Sequence, residues 1–493
     1  MLKNVLPEKA GIRSEHVNVF LSSLEKRGLN LHCLLLMRGE DIFLEAYRAP
    51  FDRETPHRMY SVTKSFVSVA IGLAEEEGLV DLERPVAEYF PEKIEGELCE
   101  SLKRQTVSEM LTMTTVGPSK SWFKAGDPDR THLYFDGRGE CRPAGTVWQY
   151  DSPGSQVLCN LVEKVTGKSL FEYLREKIFV HLDAFKNAKI LKTPNGVSWG
   201  DSALICTPRD LAVFARFVMN YGTYNGKRLM NGAYLKKATS RLVDNARTGH
   251  KELFEHGYGY QFWRTEKNGF AFVGMGNQIA VCFPDYDLIM VCTGDMQGNT
   301  FARNYIAAQL VDNIVDNIDK EPIDLNGVTD GEPLTVSLKP FALEGEYYDS
   351  SWRERLNGVT YVCRDNVLGW RDFRFEFENE VEGRLVYTKD SGVKELPFGV
   401  NSNRFCLFPE EGYSHETGAL RSDDGHRYKA AVSIAWVQEN KLRMFIQIID
   451  EYLGNATITF SFKDNKAVVT SVKFAEDFLW DYDGEAVAEA VSE

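Results

Sequence analysis

The chain has 493 residues, and since a single hydrophobic core stops growing at roughly 250 to 300 residues, two or three domains are expected. Its 43% hydrophobic, 12% aromatic and 26% charged residues are those of a soluble globular protein and exclude disordered and fibrous classes. Lys and Arg number 57 against 72 Asp and Glu, a net charge of −15 with no basic stripe, so nucleic acid and anionic membrane are poor candidate partners.

The first twenty residues hold no apolar core of signal-peptide length, and no later run approaches the ~18 apolar residues of a membrane span, so a cytosolic protein is expected. Residues 14 to 27 carry the 3.6-residue period of an amphipathic helix through Val17, Phe20, Leu21 and Leu24. The runs LHCLLLM and IFLEAY, around the turn Arg38-Gly-Glu-Asp41, suggest a hairpin. Phe66 to Leu73 predicts a buried helix closed at Gly78. Residues 83 to 116 and 155 to 185 read as helical, with a long Gly, Pro and Asp-rich loop between them of the kind that usually carries function. After a helix around TPRDLAVFARFVMNYG, the runs GFAFVG, IAVCFP and LIMVCTG read as consecutive antiparallel strands, and Phe301 to Ile318 as a closing helix. A Pro, Gly and Asp-rich boundary follows. Beyond it, short strand-like runs spaced by turns predict a separate β-rich domain, a sandwich or small barrel, ending in a frayed DGEAVAEAVSE. Domain limits of 1–325 and 335–485 are expected.

Nine scattered cysteines without a CxxC pair read as buried free thiols. The nine histidines lack ligand spacing, so no metal or other cofactor is expected. His57 reads either as pocket lining or as a structural side chain. Phosphate-loop, Gly-x-Ser-x-Gly and His-Glu-x-x-His motifs do not occur.

Ser-x-x-Lys occurs four times, at Ser23, Ser61, Ser121 and Ser391. Only Ser61 stands at the mouth of a buried apolar helix, where Lys64 falls on the same face one turn later. Ser61 is there either an N-cap with Lys64 a solvated charge, or a nucleophile with Lys64 its base. The positive field of a helix N-terminus and partial burial both disfavour a protonated lysine, which suits the second reading. Tyr150-Asp-Ser152 follows a Pro-Gly turn. A phenol beside an ammonium is eased toward phenolate and can act as a general base, whereas the alternative is a half-buried tyrosine bonded to a carbonyl. Trp122, Phe123, Tyr134, Phe135 and Trp148 form either an aromatic pocket wall or loop anchors.

Ser61-Val-Thr-Lys64, TVSEMLTMTT at 106 to 115, PAGTVWQYDSPGSQVLCNLVEKVTGKSLFEYLREKIF at 143 to 179, CTPRDLAVFARFVMN at 206 to 220 and GYGYQFW at 257 to 263 resemble, in that order, the serine beta-lactamase and penicillin-binding-protein superfamily. The closest likeness is to its class C-like (family VIII-type) esterase and D-aminopeptidase branch. The resemblance implies an α/β (α+β) beta-lactamase/transpeptidase-like domain, an antiparallel sheet flanked by helices plus a helical subdomain, followed by the β-rich C-terminal domain. It implies that Ser61 attacks a carbonyl, that Lys64 and Tyr150 share the acid-base work, and that Ser152 takes the Asn or Ser place of the Tyr-x-Asn motif. The oxyanion hole would use the backbone N–H groups of Ser61 and Gln278. In the third motif the family carries Lys-Thr-Gly or His-x-Gly, and this chain has Met275-Gly276-Asn277. Without that cation, which faces a substrate carboxylate, a small neutral or apolar ester or amide is the expected substrate, Met275 would be soft packing, and Asn277 obstructs close approach to the strand. The alternatives are a D-amino-acid amidase or weak beta-lactamase, and, in another class, a non-catalytic binding or sensor protein on the same scaffold. The sequence leaves the oligomeric state open.

Overall fold

The computed structural model describes residues 2–117, 127–136, 141–246, 254–297, 299, 301–320, 323, 325, 334, 336, 338–345, 351–414, 426–475 and 482–491. The chain divides into two compact units, one built mainly from Met1–Tyr47 and Arg58–Ser337, the other from Arg48–His57 and the chain from Leu338 onward.

The first unit is a seven-stranded mixed sheet with helices. Its strands run in the spatial order Lys3–Asn4, Asp41–Tyr47, Leu31–Arg38, Leu288–Gly294, Gln278–Phe283, Phe270–Gly274, Trp263–Arg264. Only the first pair is parallel; the expected hairpin of 31–47 and the three strands of 270–294 are all antiparallel. Leu288–Gly294 and Gln278–Phe283 are buried along their whole length, as continuous apolar runs require when both faces are covered. The helix Pro208–Met219 packs on these two strands. It begins at a capping box, with Thr207 and Asp210 bonding each other's backbone N–H and Pro208 in the first turn. Ser14–Lys26 buries Val17, Phe20, Leu21 and Leu24 as its period predicts, and packs with Ala302–Asn313.

The helix Thr63–Glu76 runs through the core, with every residue from Thr63 to Ala74 buried. Phe66 stacks on Phe214 at 3.8 Å between centroids and meets Phe179 and Phe185 edge-on. Gly78, at φ +73, stops the helix in the left-handed conformation that glycine adopts without cost. The stretch 83 to 116 departs from the expected helix: it forms 3-10 turns at Val86–Tyr89 and Pro91–Lys93 and two five-residue helices, Glu100–Arg104 and Val107–Leu111. Pro85 and Pro91 have no N–H to donate, and the Thr106 capping box starts a new helix where a continuous one would need its interior. Ser152–Thr166 and Leu170–Lys177 supply the helical region predicted over 155 to 185.

The second unit is a barrel, one of the two expected forms. Its strands run 392–400, 382–389, 372–377, 361–363, 484–490, 466–475, 453–463, 441–449, 429–438, with 404–407 beside the last. Pairing of Gly399 and Val400 with Ser433 and Ile434 closes the ring. Phe373, Phe375 and Phe460 fill its interior. Gly484–Ala490, expected to fray, instead completes the barrel between Tyr361–Cys363 and Lys466–Ala475. Its alternating alanines, Ala486 and Ala488, point inward and are buried; small side chains make a weak strand signal, and the ladder on both sides supplies the order they lack.

Two of the nine cysteines correct the free-thiol expectation, since Cys99 and Cys141 are joined by a disulfide. Cys33, Cys159, Cys206, Cys282 and Cys292 are buried thiols, as expected, and burial pushes each of them up from its ordinary pKa. Among the described residues no helix is long and apolar enough to cross a membrane.

Candidate active site

Ser61 does not cap the helix. It sits in the 3-10 turn Tyr60–Val62 that leads into Thr63–Glu76, and no side-chain cap bond forms there. The residue before it, Tyr60, is held at φ +47, a conformation that costs a non-glycine residue energy and persists only where its surroundings impose it. Those surroundings are visible. The Arg58 guanidinium lies 4.7 Å from the Tyr60 ring centroid and 4.6 Å from that of Trp199, and Arg58 Nε donates to Ser202 O at 3.0 Å. Met59 N donates to Leu204 O at 2.7 Å, and Leu204 N to Thr63 Oγ1 at 3.0 Å. The segment 199–204 therefore straps the turn from both ends.

The solvated-charge reading of Lys64 fails with the cap. Lys64 is 2% exposed, and its Nζ donates to Ser61 Oγ at 2.8 Å and to Asp201 O at 2.6 Å. Neither acceptor is a carboxylate, so Lys64 Nζ is buried against neutral oxygens. Tyr150 completes the group, its ring centroid 5.1 Å from Lys64 Nζ. Among the described residues the Tyr150 hydroxyl has no hydrogen-bond partner, in contrast to the carbonyl-bonded alternative. Of the other described Ser-x-x-Lys pairs, Ser23 Oγ donates to Phe20 O, and Lys394 lies 3.5 Å from Glu410; neither joins its serine to its lysine. Ser121 lies outside the described residues.

Tyr150 is placed by the start of helix Ser152–Thr166. Asp151 caps that helix by accepting from Gly154 N, and its other oxygen accepts from Thr115 Oγ1 at 3.0 Å. Ser152 is the half-buried first helical residue. Gln261, which the sequence reading did not single out within GYGYQFW, ties the blocks together. At φ +62, its Nε2 donates to Met110 O and Leu111 O at 3.2 and 3.0 Å, its Oε1 accepts from Ser155 Oγ at 2.7 Å, and its carbonyl accepts from Ser65 Oγ at 2.7 Å. One buried residue thus joins the Tyr150 helix and the 106–115 block through its side chain and the Ser61 helix through its carbonyl. Its only sequence signal is a polar residue after Gly-Tyr-Gly-Tyr. Asp201, whose backbone carbonyl accepts from Lys64 Nζ, and Arg130, paired with its carboxylate, were also not singled out, since a backbone carbonyl leaves no side-chain signature in the sequence.

The third-motif strand reaches the same turn. A Cβ on Gly274 would lie 2.3 Å from Met59 O, so only glycine lets this strand end approach the residues before Ser61. Met275–Asn277 forms a tight turn with Gly276 at φ +73 and Asn277 at φ +71, after which Gln278 opens the next strand opposite Gly274. Asparagine tolerates the left-handed region, and Asn277 Nδ2 turns to Met296 Sδ at 3.5 Å. Gln278 is fully buried, its side chain donating to Met275 O at 3.2 Å. Met275, expected to be packing, is 44% exposed.

The aromatic wall is composed differently from the expectation. Trp263 stacks on Tyr150 at 5.7 Å, and Trp148 and Tyr258 meet Trp263 at 5.5 and 5.3 Å. Tyr134 and Phe135 are core residues, Tyr134 accepting from Gln105 Nε2, and Trp122 and Phe123 lie outside the described residues. His57 has a structural setting, with Nδ1 3.0 Å from Thr55 O and its ring beside Phe51.

A sheet backed by helices defines a beta-lactamase-like fold, and the Ser-x-x-Lys turn at the head of a buried helix, with a tyrosine against the lysine, is its candidate site. The family model described as Beta-lactamase matches residues 33–310, and the chain belongs to that family. The 6-aminohexanoate-dimer hydrolase of Paenarthrobacter ureafaciens is 28% identical over 310 residues, covering 58% of this chain and 78% of the relative. Among solved structures, a beta-lactamase-like protein of Bacteroides dorei is similar with a TM-score of 0.51 at 13% identity, covering 63% of this chain and all of that one. EstCE1, a hydrolase with promiscuous acyltransferase activity, matches with a TM-score of 0.50 at 12% identity, over 60% of this chain and 98% of its own. At such identities the two structures speak for the fold alone.

Proposed function

We propose that the protein is a serine hydrolase that cleaves a small ester or amide through an acyl-enzyme on Ser61, with carboxylesterase-like activity as the leading form. The observation that carries this reading is the buried Lys64 amine bonded to Ser61 Oγ at 2.8 Å, with the Tyr150 ring 5.1 Å away. In the proposed step Ser61 Oγ attacks the carbonyl carbon and its proton passes to Lys64 Nζ. The resulting oxyanion is held by the Ser61 and Gln278 backbone N–H groups. Collapse expels the alcohol or amine, which takes a proton relayed from Lys64 and Tyr150, and water attacks the acyl-enzyme by the reverse route. Met275 in place of a cationic third motif favours neutral acyl groups. The amide form is supported by the relative at 28% identity, whose name describes hydrolysis of the 6-aminohexanoate dimer.

The test is mass spectrometry of the intact protein after incubation with a fluorophosphonate, together with turnover of p-nitrophenyl butyrate, a D-amino-acid amide, nitrocefin and the 6-aminohexanoate dimer. Labelling at Ser61 and turnover abolished by Ser61→Ala are expected. Turnover that survives Ser61→Ala would rule out Ser61 as the nucleophile, and an unlabelled Ser61 with no Ser61-dependent turnover would favour the non-catalytic binder.

A further inference from the structure

Lys64 has two hydrogen-bond acceptors, and only one of them, Ser61 Oγ, belongs to the proposed chemistry. The other, Asp201 O at 2.6 Å, is a main-chain carbonyl, and the Asp201 side chain points to a different partner. Its two carboxylate oxygens accept from Arg130 Nη1 and Nη2 at 2.9 and 3.1 Å, a two-pronged pair with 1% and 0% side-chain exposure. A fully buried ion pair is an expensive way to gain stability, because desolvation of both charges offsets most of their attraction. What such a pair does well is hold geometry, since the planar guanidinium accepts a carboxylate in one orientation.

We propose that Arg130 and Asp201 are positioning residues for the catalytic lysine: the buried ion pair clamps the Asp201 peptide so that its carbonyl holds Lys64 Nζ against Ser61 Oγ. The inference rests on the serine-hydrolase reading above. The segment on either side of Asp201 is committed elsewhere, which leaves this peptide little room to adjust. A Cβ on Gly200 would lie 2.3 Å from Cys159 Sγ, Ser202 O is held by Arg58 Nε, and Leu204 O is held by Met59 N. Arg130 stands in the short helix Arg130–Phe135, whose capping residue Asp129 accepts from Thr131 N and His132 N. Among the described residues the carbonyl is also the only acceptor besides the serine that keeps Lys64 from rotating away from Oγ.

The pair has an electrostatic consequence that a structural filler would lack. Among the described residues, the groups at Lys64 Nζ are Ser61 Oγ, the Tyr150 ring and the Asp201 carbonyl, and behind that carbonyl the Asp201 and Arg130 side chains carry two opposite, paired charges. Removing one of them unbalances the site. With Arg130→Gln the unpaired carboxylate favours the ammonium, so the acid limb of a pH profile that needs a neutral lysine moves to higher pH. With Asp201→Asn the unpaired guanidinium disfavours the ammonium, so that limb moves to lower pH. Each shift is expected on the order of one pH unit.

The experiment measures the rate of fluorophosphonate labelling at Ser61 against pH, in the full-length protein and in Arg130→Gln, Asp201→Asn and the double variant Arg130→Gln/Asp201→Asn. Opposite shifts of the acid limb in the single variants are expected. The double variant, which buries no unpaired charge and so guards against singles that do not fold, should keep the wild-type limb and lose tenfold or more in plateau rate. Limbs that stay put or move the same way overturn the inference, as does a folded double variant labelled at the wild-type rate. A wild-type protein that is not labelled at Ser61 overturns the proposed function instead, so the two failures are distinguishable.

Discussion

Gln261→Met keeps the volume of a buried side chain and deletes its three hydrogen bonds, so it isolates what the tie between the sequence blocks contributes. None of the abandoned groups is left without a partner. Met110 O still accepts from Met113 N, Leu111 O from the Gln261 backbone N–H, and Ser155 Oγ still donates to Asp151 O. The full penalty for orphaned buried groups therefore does not apply, and each lost bond is worth about 1 kcal/mol, for about 3 kcal/mol in all. Gln261→Glu sharpens the point, because a carboxylate would face the two carbonyls that now accept from Nε2. Its charged form is disfavoured by burial and by those dipoles, so its folded-state pKa is raised above the unfolded value of about 4.3. The contribution of the neutral acid is present below that value and is lost as pH rises through the folded one. Urea denaturation at pH 5 and pH 8 measures both variants. A Gln261→Met loss under about 0.5 kcal/mol, or a Gln261→Glu deficit equal at the two pH values, would refute the reasoning.

Ser61→Ala and Tyr150→Phe should each lower p-nitrophenyl butyrate turnover by about 1000-fold or more while leaving the unfolding transition within about 1 kcal/mol of wild type. Reduction of Cys99–Cys141, which are 42 residues apart, should cost up to about 4 kcal/mol through freed loop entropy. Denaturation with and without a thiol reductant, against Cys99→Ser, reads it. His132 Nδ1 lies 2.6 Å from Asp127 Oδ2, and this hydrogen bond raises the imidazole above its ordinary value. Its stabilising contribution is therefore complete below about pH 6.5 and falls away as pH rises through the raised value. A melting temperature that declines from pH 6 to 8.5, and declines less in His132→Gln, is expected.

Phe66→Ala, which opens the Phe66–Phe214 stack behind the Ser61 turn, should destabilise by about 3–5 kcal/mol in calorimetry, with Ser61 labelling lost only as the fold is lost.

Periodicity and turn chemistry made most elements legible in the chain itself. The apolar runs of 31–47 and 270–294 read as strands and the Phe66 to Leu73 run as a buried helix, and they form those elements. The element reading failed in two places, one where pairing with distant chain decides and one where local breakers override a helical pattern. The alanine-rich Gly484–Ala490 strand exists because two neighbours hydrogen-bond it, and the helical pattern of 83 to 116 is cut into turns by prolines and a new cap.

For the candidate site, five motif blocks in order were enough to propose Ser61, Lys64 and Tyr150, because a nucleophile and its bases would need particular side chains. Which Ser-x-x-Lys joins its serine to its lysine was decided only by folding, which buried Lys64 between Ser61 Oγ and the Asp201 carbonyl. The same holds for Arg130, Gln261 and Trp263, drawn from segments far apart in the chain. Their contributions are a carbonyl held in place, a shared amide and a ring face. Each depends on position rather than residue type, and position is what the tertiary structure alone supplies.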